Sequence, residues 1–300
     1  MTVEFIAEVS SNHGRDLDRS LAFIDTAARI GCGAVKFQLF KLRQLFAPEA
    51  IAAHPELLKR EDWELPVEHL PALKDRCAEQ NIRFGMTPFY LTAVDELFPF
   101  VDFYKIASYE LMWDNLLKTC AGTKKPVVLS CGMATLDETR RAIDVLREGG
   151  CTDLTLLHCI SGYPTPPEQC NLAAIATLRD ACHCPVGWSD HSVDPGVVGR
   201  AVTRWSAVMV EFHLDLEGEG AEYSGGHCWL PDQIAPVIAA ANDPGAAQAG
   251  NDAWHTADGD GVKVPAPAEL HDREWRADPS DGLRPLKSVR KTLTTAQTGT

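Results

Sequence analysis

The sequence is short of basic residues, with 28 lysines and arginines against 42 aspartates and glutamates and a formal net charge of −14 at pH 7. Proteins bind nucleic acids and anionic membranes through basic patches. This charge balance therefore argues against both as partners. It also means that a site for a phosphorylated ligand must be built from a few local lysines and backbone N–H groups.

Long apolar runs are missing as well. A membrane-spanning helix needs about 18 or more consecutive apolar residues, and the sequence contains no such run. A secretory leader joins a basic segment to an apolar one, whereas the first residues alternate briefly around Val3, Phe5 and Ile6, as a strand does. We therefore expect a cytoplasmic protein without a membrane span.

Paired cysteine clusters of the kind used by zinc sites are absent. Ten cysteines are scattered at irregular spacings, and the closest two, Cys182 and Cys184, flank His183. Zinc sites usually join two such clusters from different parts of a chain, and this chain has no second cluster. We therefore expect reduced, mostly buried thiols.

What the sequence does contain is one pattern repeated eight times: a short apolar run, polar residues at its end, and a helical stretch. The predicted strands are 4–9, 34–40, 82–87, 102–108, 126–131, 154–160, 185–190 and 207–214. The predicted helices are 16–30, 66–80, 92–98, 113–121, 136–149, 172–181, 195–205 and 231–241. Alternating strands and helices indicate β-α-β units. Eight such units favour closure, so we predict an α/β fold of the TIM (β/α)₈ barrel type over residues 1–242.

Residues 243–300 depart from this pattern and are predicted to form a C-terminal extension. The part from 243 to 285 is rich in glycine, proline, aspartate and alanine, a composition typical of an ordered loop or a flexible tail. The residues from Arg284 to Val289 can pack back on the barrel. We expect the extension to pack there and to remain partly flexible.

Polar residues share one face at the carboxyl ends of the predicted strands. In a barrel, alternate side chains point inward, and those at the carboxyl ends line the active site. The residues on this face are Glu8, Ser10, Lys36, Gln38, Thr87, Lys105, Ser130, Ser189, His191, Glu211 and His213. Because buried charges are costly unless they are paired or bind something, this convergence predicts a binding site.

The residue types on this face point to particular ligands. Lys36 and Lys105, together with the hydroxyl groups, can hold a phosphate through charge-assisted hydrogen bonds. His191 and His213 lie on adjacent strands and can ligate a divalent ion. Each of these residues can instead be a hydrogen-bonded core residue.

Two carboxylates complete the set, because Glu8 and Glu211 can transfer protons. Histidines elsewhere show how weak a single residue is as a signal. We assign neither His13 nor His158 as a metal ligand, since each can simply form hydrogen bonds.

The segments that carry these residues resemble the sialic acid synthase family. The similar segments are IAEVSSNHGRDL (6–17), GAVKFQLFK (33–41), TPF (87–89), YKIAS (104–108), PVVLSCGMAT (126–135), LLHCISGYPTP (156–166), VGWSDHS (186–192) and VEFHLD (210–215). They follow one another in order along nearly the whole predicted barrel. The resemblance implies an enzyme that joins phosphoenolpyruvate and water to an aldehyde sugar of the N-acetylmannosamine type, giving a 2-keto-3-deoxy sugar acid and phosphate. It also implies a divalent metal, Mn²⁺ with Mg²⁺ or Co²⁺ as alternatives, and a homodimer.

Carried over by position, the resemblance also implies roles for single residues. His191 and His213 match the family's metal ligands, and Glu8 and Glu211 match its catalytic carboxylates. The implied substrate contacts are Lys36, Gln38, Thr87, Lys105, Ser108, Glu110, Ser130, Ser161, Tyr163, Ser189, Asp190 and Glu222. In the implied reaction the metal polarises the aldehyde, C3 of phosphoenolpyruvate attacks it, and water adds at C2 before phosphate leaves.

The sequence departs from the family pattern in places. Ser130-Cys131-Gly132 replaces STG, Ile160-Ser161 replaces the residues that usually follow HC, Phe212 replaces a basic residue, and Gly220-Ala221-Glu222 replaces a GPD motif. Typical members continue into an antifreeze-like domain, which we expect to be absent here. We therefore expect an acceptor other than N-acetylmannosamine, or a site covered by residues after about 243, where Arg273, Arg276 and Arg284 can reach a sugar.

Other functions fit parts of the pattern. Lys105 can be the nucleophile of a Schiff-base aldolase, but this leaves Lys36 and the histidine pair without a role. A non-catalytic barrel that binds a sugar or a partner, or a split enzyme with its cap on another chain, also fits. Borohydride trapping with pyruvate distinguishes the aldolase.

Overall fold

The structure is a computed structural model that describes residues 2–243 and 255–298, with side chains through residue 294. Its strands are β1 (Glu4–Glu8), β2 (Ala34–Leu39), β3 (Arg83–Pro88), β4 (Phe103–Ile106), β5 (Val127–Ser130), β6 (Leu154–Cys159), β7 (Val186–Asp190), β8 (Met209–Leu214) and β9 (Cys228–Trp229). Strands β1 to β8 pair in order and in parallel, and β8 pairs with β1. The sheet is therefore closed, and the predicted (β/α)₈ barrel is confirmed.

Helices cover the outside of the barrel between consecutive strands. They are α1 (Leu17–Arg29), α2 (Leu42–Leu45), α3 (Pro48–Ala53), α4 (Leu70–Glu79), α5 (Leu91–Leu97), α6 (Asp114–Gly122), α7 (Leu136–Glu148), α8 (Ala174–Cys182), α9 (Pro195–Thr203), α10 (Pro231–Asn242), α11 (Leu270–Glu274) and α12 (Lys287–Thr298). Each of the eight predicted helices corresponds to one of these. In the described parts of the chain, no helix is long and apolar enough to cross a membrane.

Helix α7 shows how the local sequence sets a helix boundary. The Thr135 hydroxyl accepts a hydrogen bond from the backbone N–H of Glu138 (3.2 Å), and the Glu138 carboxylate accepts one from the N–H of Thr135 (2.9 Å). This capping box satisfies donors that the first turn of a helix leaves free. Ala142, Ile143 and Leu146 then fall on one face and are buried against the barrel.

The inside of the barrel is apolar at its lower end. A buried cluster there consists of Ile6, Ala34, Phe103, Val128, Leu157 and Met209. Gly85 makes room for it, because a Cβ at this position would lie 2.1 Å from the Phe103 ring. Side chains of a strand alternate between its two faces, so the inward residues two positions further on are the polar ones at the mouth.

The connection between β2 and β3 carries structure that the sequence did not predict. Besides α2, α3 and α4 it contains 3₁₀ turns at Pro55–Trp63 and Val67–His69. Its apolar residues, among them Leu42, Leu45 and Phe46, form a cluster separate from the main core. Elements this short give no periodic pattern, so only tertiary packing defines them.

The C-terminal segment, residues 255–294, contacts several β-α units of the barrel. Asp258 accepts hydrogen bonds from the Arg200 guanidinium at 2.6 and 2.5 Å and from the Trp205 indole at 2.6 Å. The backbone of Arg284 forms a parallel bridge to Phe46. Residues 244–254, which lie between α10 and this segment, are outside the described residues.

Glu269 is the residue of this segment with the most backbone contacts. It lies in a 3₁₀ turn at Pro267–Glu269 and is fully buried. Its carboxylate accepts hydrogen bonds from the backbone N–H of Met133 (2.6 Å), Ser161 (2.7 Å) and Ala266 (2.8 Å). The loops after β5 and β6 are therefore held by a residue far along the chain.

Candidate active site

The carboxyl ends of the strands open into a cavity of about 410 Å³. Of the barrel residues predicted from sequence, those lining it are Glu8, Ser10, Lys36, Gln38, Thr87, Lys105, Ser108, Ser130, Tyr163, Ser189, His191, Glu211, His213 and Glu222. They come from every barrel strand except β6 and from the loops after β1, β4, β6, β7 and β8. Two groups of side chains lie on different sides of this cavity.

The first group, which we call the charged floor, consists of Glu8, Lys36, Lys105 and Glu211. Lys36 forms an ion pair with Glu8 and lies 3.9 Å from a Glu211 oxygen. Lys105 donates a hydrogen bond to Glu211 at 3.0 Å. All four side chains are almost completely buried. Two positive and two negative charges thus compensate one another, which makes their burial tolerable.

Burial and charge act in opposite directions on the floor. Burial lowers the pKa of Lys36, and attraction by Glu211 opposes this. Burial alone would raise the pKa of Glu211, but attraction by Lys105 and Lys36 outweighs it and holds that pKa well below its usual range. Glu211 therefore remains ionised near neutral pH.

Hydroxyl groups surround the charged floor. Thr87 accepts a hydrogen bond from Lys36 at 3.2 Å, and Ser189 donates one to Glu211 at 3.2 Å. The Ser130 hydroxyl is buried and has no hydrogen-bond partner among the residues that the structure describes. A buried polar group without a partner is unusual, so this hydroxyl is available to a ligand.

The second group, which we call the histidine wall, consists of Tyr163, His191, His213, Glu222 and His227. The ring centroids of His191 and His213 are 5.3 Å apart, and those of His213 and His227 are 4.8 Å apart. The Tyr163 ring lies over His191 with its centroid at 4.2 Å. Three imidazoles and one carboxylate thus meet on one side of the cavity.

Two imidazoles of the wall, those of His191 and His213, are neutral, and that of His191 has a fixed orientation. Nδ1 of His191 lies 2.8 Å from the Ile160 carbonyl oxygen, which can only accept, so Nδ1 carries the proton and Nε2 has a free lone pair. Burial lowers the pKa of His191, and it lowers that of His213 to about 4 although Glu222 opposes it. Neutral imidazole is the form that binds metal ions. The donor set therefore fits a divalent ion.

Glu222 is the anionic member of the wall. Its carboxylate lies 3.1 Å from Nδ1 of His213 and accepts a hydrogen bond from Ser10 at 2.6 Å. Burial alone would raise the pKa of Glu222, but its hydrogen bonds, that with His213 first, hold it far below the usual range. The wall therefore carries a negative charge with no lysine or arginine in contact with Glu222 among the described ion pairs.

The sequence profile of the NeuB family matches residues 23–249. The chain belongs to the NeuB family. It is 38% identical over 223 residues to an uncharacterized protein of Methanocaldococcus jannaschii, covering 73% of this chain and 64% of that protein. It is 34% identical over 226 residues to N,N'-diacetyllegionaminic acid synthase of Campylobacter jejuni, covering 71% and 67%. The chain thus spans about two thirds of the length of these relatives.

A solved structure resembles the NeuB-family barrel described here. It is the N-acetylneuraminic acid synthetase of Leptospira borgpetersenii in complex with citrate, with a TM-score of 0.73 and 30% sequence identity. The match covers 80% of this chain and 82% of that one. The predicted family is therefore confirmed by both sequence and structure.

Asp190 is a predicted substrate contact that lies outside the cavity of this NeuB-family barrel. It alternates with Ser189 and therefore points to the helix side of β7. There it accepts hydrogen bonds from the indoles of Trp188 (3.0 Å) and Trp229 (2.9 Å) and from Ser192 (2.6 Å). With these partners it fixes the start of the loop after β7, outside the cavity lining.

Glu110 and Ser161 are also predicted contacts that do not line the cavity. Glu110 is fully buried and is held by the Arg284 guanidinium, whose Nε lies 2.8 Å from its carboxylate. Burial raises the pKa of Glu110, and Arg284 opposes this. The backbone N–H of Ser161 donates to Glu269. Both residues lie behind the cavity wall.

Several cavity residues escaped the sequence analysis. His227 precedes β9, while Arg60 and Trp63 come from the 3₁₀ turn between β2 and β3. None of them lies on a barrel strand, so strand alternation could not identify them. The sequence feature that could have pointed to His227 is its position after Gly225 and Gly226 and before Cys228.

The three arginines of the extension that are expected to reach a sugar have different positions. Arg284 lines the cavity. Arg273 and Arg276 instead form ion pairs with Glu138, at 2.8 and 3.3 Å, outside it. The prediction that arginines of this segment reach the site therefore applies to Arg284 alone.

His13 and His158, which we did not assign as ligands, lie outside the cavity lining. Nδ1 of His13 accepts a hydrogen bond from the N–H of Arg15 at 2.9 Å. Nε2 of His158 lies 2.9 Å from the carbonyl oxygen of Cys170. Both therefore have local structural partners.

Proposed function

We propose that this NeuB-family barrel condenses phosphoenolpyruvate with an aldehyde sugar and water, releasing phosphate and a 2-keto-3-deoxy sugar acid. The observation that carries the proposal is the presence, in one cavity, of two lysines with hydroxyl groups and of a set of imidazoles. The names of the relatives, a legionaminic acid synthase and an N-acetylneuraminic acid synthetase, support it.

The charged floor is the proposed site for phosphoenolpyruvate. Lys36 and Lys105 bind its phosphate, and the hydroxyls of Thr87, Ser130 and Ser189 add hydrogen bonds. The orphaned Ser130 hydroxyl supports this role. The same lysines stabilise negative charge as phosphate leaves, and such stabilisation is strong in a site that excludes water. We propose Ser108 as a further contact of the same ligand.

In the proposed reaction C3 of phosphoenolpyruvate forms a bond to the aldehyde carbon. Water adds at C2, and the bond between C2 and the bridging oxygen breaks, so that phosphate keeps this oxygen. Glu8 transfers a proton to or from the water or the new hydroxyl. The hydrogen bonds that Glu8 accepts from Gln38 (3.1 Å) and from the N–H of Ser10 (2.8 Å) hold it in place for this. We assign Glu211 to the same chemistry.

His191 and His213 would hold the divalent ion, for which we propose Mn²⁺ over Mg²⁺ or Co²⁺ because imidazole donors suit transition metals. When bound, such an ion polarises the carbonyl oxygen of the aldehyde. The residues themselves orient the donors, since the Ile160 carbonyl fixes the His191 ring. Tyr163 and Glu222 border the same side and are proposed contacts of the sugar.

The C-terminal segment is the proposed cover of the site. Arg284 lines the cavity, with its guanidinium 4.1 Å from the Tyr109 ring centroid, and Glu269 fixes two loops of the mouth. A closed mouth excludes water from reactive intermediates. Arg284→Lys should therefore raise the KM for the sugar about tenfold, the loss expected for ~1.4 kcal/mol of binding. The control Arg273→Lys, which changes an arginine outside the cavity, should leave this KM unchanged.

Phosphate release tests the function directly. The assay combines the protein, phosphoenolpyruvate, Mn²⁺ and a panel of aldoses that includes N-acetylmannosamine. Phosphoenolpyruvate labelled with ¹⁸O in the bridging position should give labelled phosphate with a productive aldose. Absence of phosphate release with every aldose would reject the proposal, as would phosphate that lacks the label.

A Schiff-base aldolase remains the second candidate, with Lys105 as the nucleophile. The ion pair between Lys105 and Glu211 counts against it, because it already engages the amine that would have to attack the substrate. Borohydride treatment with pyruvate should leave Lys105 unmodified by mass spectrometry. A stable adduct on Lys105 would support the aldolase. A non-catalytic barrel would bind a sugar and give neither result.

A further inference from the structure

The histidine wall contains donors beyond the pair of histidines implied by the family resemblance. Single atoms of His213, Glu222, His227 and Cys228 all lie within 4.8 Å of one another. The Glu222 oxygen lies 3.1 Å from Nδ1 of His213 and 3.7 Å from Nε2 of His227. Donor atoms bound to one ion at ~2.1 Å are separated by such distances.

The position of His227 is set by the fold. Strand β9 pairs with the end of β8, with Cys228 opposite His213, so the residue before β9 lies beside His213. Gly225 provides space for the ring, because a Cβ there would lie 2.9 Å from Nδ1 of His227. His227 is only 8% exposed, and its Nδ1 has no hydrogen-bond partner in residues 2–243 and 255–294. Its Nε2, which faces Glu222, is at 3.7 Å also beyond hydrogen-bond length, so packing within these residues leaves both ring nitrogens without a hydrogen bond.

We propose that Glu222 and His227 are further protein ligands of the divalent ion, beside the His191 and His213 of the proposed function. Imidazoles together with one carboxylate suit a transition metal and leave positions open for substrate. The carboxylate also adds the negative charge that a cation requires. The inference rests on the proposed function only in placing a divalent ion in this cavity.

The fourth member of the group, Cys228, is left out of the proposed set. Its sulfur accepts a hydrogen bond from the Asn12 amide at 3.6 Å. Glu222 and His227 can also have a role other than ligation. Glu222 would then only orient His213, and His227 would only pack against Tyr163, at 5.0 Å between ring centroids. Metal binding in the absence of substrates distinguishes this role from ligation.

The first measurement is a Mn²⁺ titration of the substrate-free protein, followed by the EPR signal of free Mn²⁺. Loss of one ligand weakens metal binding by at least about tenfold, since even neighbours of ligands contribute that much. We therefore expect this loss for Glu222→Gln and for His227→Gln. The matched control is Ser224→Ala, which removes an exposed side chain from the same stretch of the cavity lining. Equal affinity in His227→Gln and the control would overturn the proposal.

The second measurement counts imidazole ligands by pulsed EPR of Mn²⁺ bound to protein labelled with ¹⁵N-histidine. His227→Gln should show one imidazole fewer than the unsubstituted protein. His191→Gln should keep two, from His213 and His227, whereas a single remaining imidazole would overturn the inference. If His227→Gln does not fold, the count in His191→Gln decides alone.

These measurements separate the inference from the proposed function, because neither uses phosphoenolpyruvate or a sugar. A bound ion with the expected count, in a protein that releases no phosphate, keeps the metal set and rejects the reaction. Phosphate release by a protein in which His227→Gln binds Mn²⁺ normally rejects the metal set and keeps the reaction. Failure of the unsubstituted protein to bind Mn²⁺, Co²⁺ or Zn²⁺ would overturn the inference.

Discussion

The charged floor and the histidine wall lie in one cavity but are built on opposite principles. The floor pairs each charge with an opposite one, such as Lys105 with Glu211, so it is electrostatically complete without a ligand. The wall gathers imidazoles around one carboxylate, Glu222, and leaves Nδ1 of His227 without a hydrogen-bond partner among the described residues. The charges of the floor therefore depend on one another, whereas the wall is completed only by something that binds to it.

The largest expected effect concerns the wall and is on activity. His213→Ala should reduce phosphate release by at least about 10³-fold, because polarisation of a carbonyl by a bound metal contributes several kcal/mol. Exhaustive chelation should have the same effect on the unsubstituted protein, and Mn²⁺ should restore activity there but not in the variant.

Stability provides the contrast in this experiment. His213→Ala should still unfold cooperatively in urea, with its free energy of unfolding lowered mainly by the lost hydrogen bond to Glu222, since no ion pair of the floor is lost. Full activity after chelation would contradict the metal requirement. Loss of cooperative unfolding would show that the wall is structural.

Removing one charge from the floor should, by contrast, have a large effect on the free energy of unfolding. Lys105→Met leaves Glu211 buried with only the more distant Lys36, so the free energy of unfolding should fall by about 3–5 kcal/mol. In Lys105→Met/Glu211→Met the loss should be much smaller, because replacing both partners of a buried pair is often nearly neutral. Urea denaturation of Lys105→Met, Glu211→Met and the double variant measures the coupling. Additive losses in the double variant would show that the two charges act independently.

A third prediction concerns the residue that joins the extension to both regions. Glu269→Ala removes the acceptor of three backbone hydrogen bonds, two of them from loops of the mouth. We expect the free energy of unfolding to fall by about 2–3 kcal/mol, the range for a hydrogen-bonded buried charge. Glu274→Ala, on the exposed side of α11, is the control and should change it little. Equal stability of the two variants would mean that the extension does not support the mouth.

The smallest expected effect tests whether burial alone makes an imidazole neutral, as in the wall. Burial lowers the pKa of His158 to about 3, while the unfolded chain protonates near 6.5. The unfolded state then binds the extra proton, so stability present above pH 6.5 is lost as pH falls from 6.5 toward 3. His158 should contribute a slope of up to about 1.4 kcal/mol per pH unit.

His158→Gln should reduce this slope by up to the contribution of one bound proton, about 1.4 kcal/mol per pH unit. Urea denaturation between pH 7 and 5 measures it. His271→Gln, at an exposed position, is the control and should leave the slope unchanged. An unaltered slope in both variants would show that burial does not keep His158 neutral.

The same contrast explains how far the sequence could predict the site. Residues of the floor come from barrel strands, where the two-residue alternation decides which side chains point inward. It therefore identified Glu8, Lys36, Lys105 and Glu211 as neighbours. Alternation also excludes Asp190, which follows Ser189 directly, and taking it from the family motif placed it wrongly in the cavity.

Loops and the extension are less predictable, for a physical reason. The position of His227 depends on the pairing of a two-residue strand with β8, and that of Arg60 depends on a 3₁₀ turn. Neither element has a period that a sequence reveals. No feature of the sequence distinguishes Arg284 from Arg273. Only tertiary packing brings Arg284 to the cavity and Arg273 to Glu138.

The carboxylate of Glu269 also has a consequence for the order in which the protein is made. A chain is synthesised from its amino terminus, and its domains generally begin to fold in that order. All eight barrel strands therefore leave the ribosome before Glu269 does. The hydrogen bonds from the N–H groups of Met133 and Ser161 to Glu269 can form only after that. The hydrogen bonds that fix the mouth of the barrel are therefore completed late in synthesis, although the first strand of the barrel is made early.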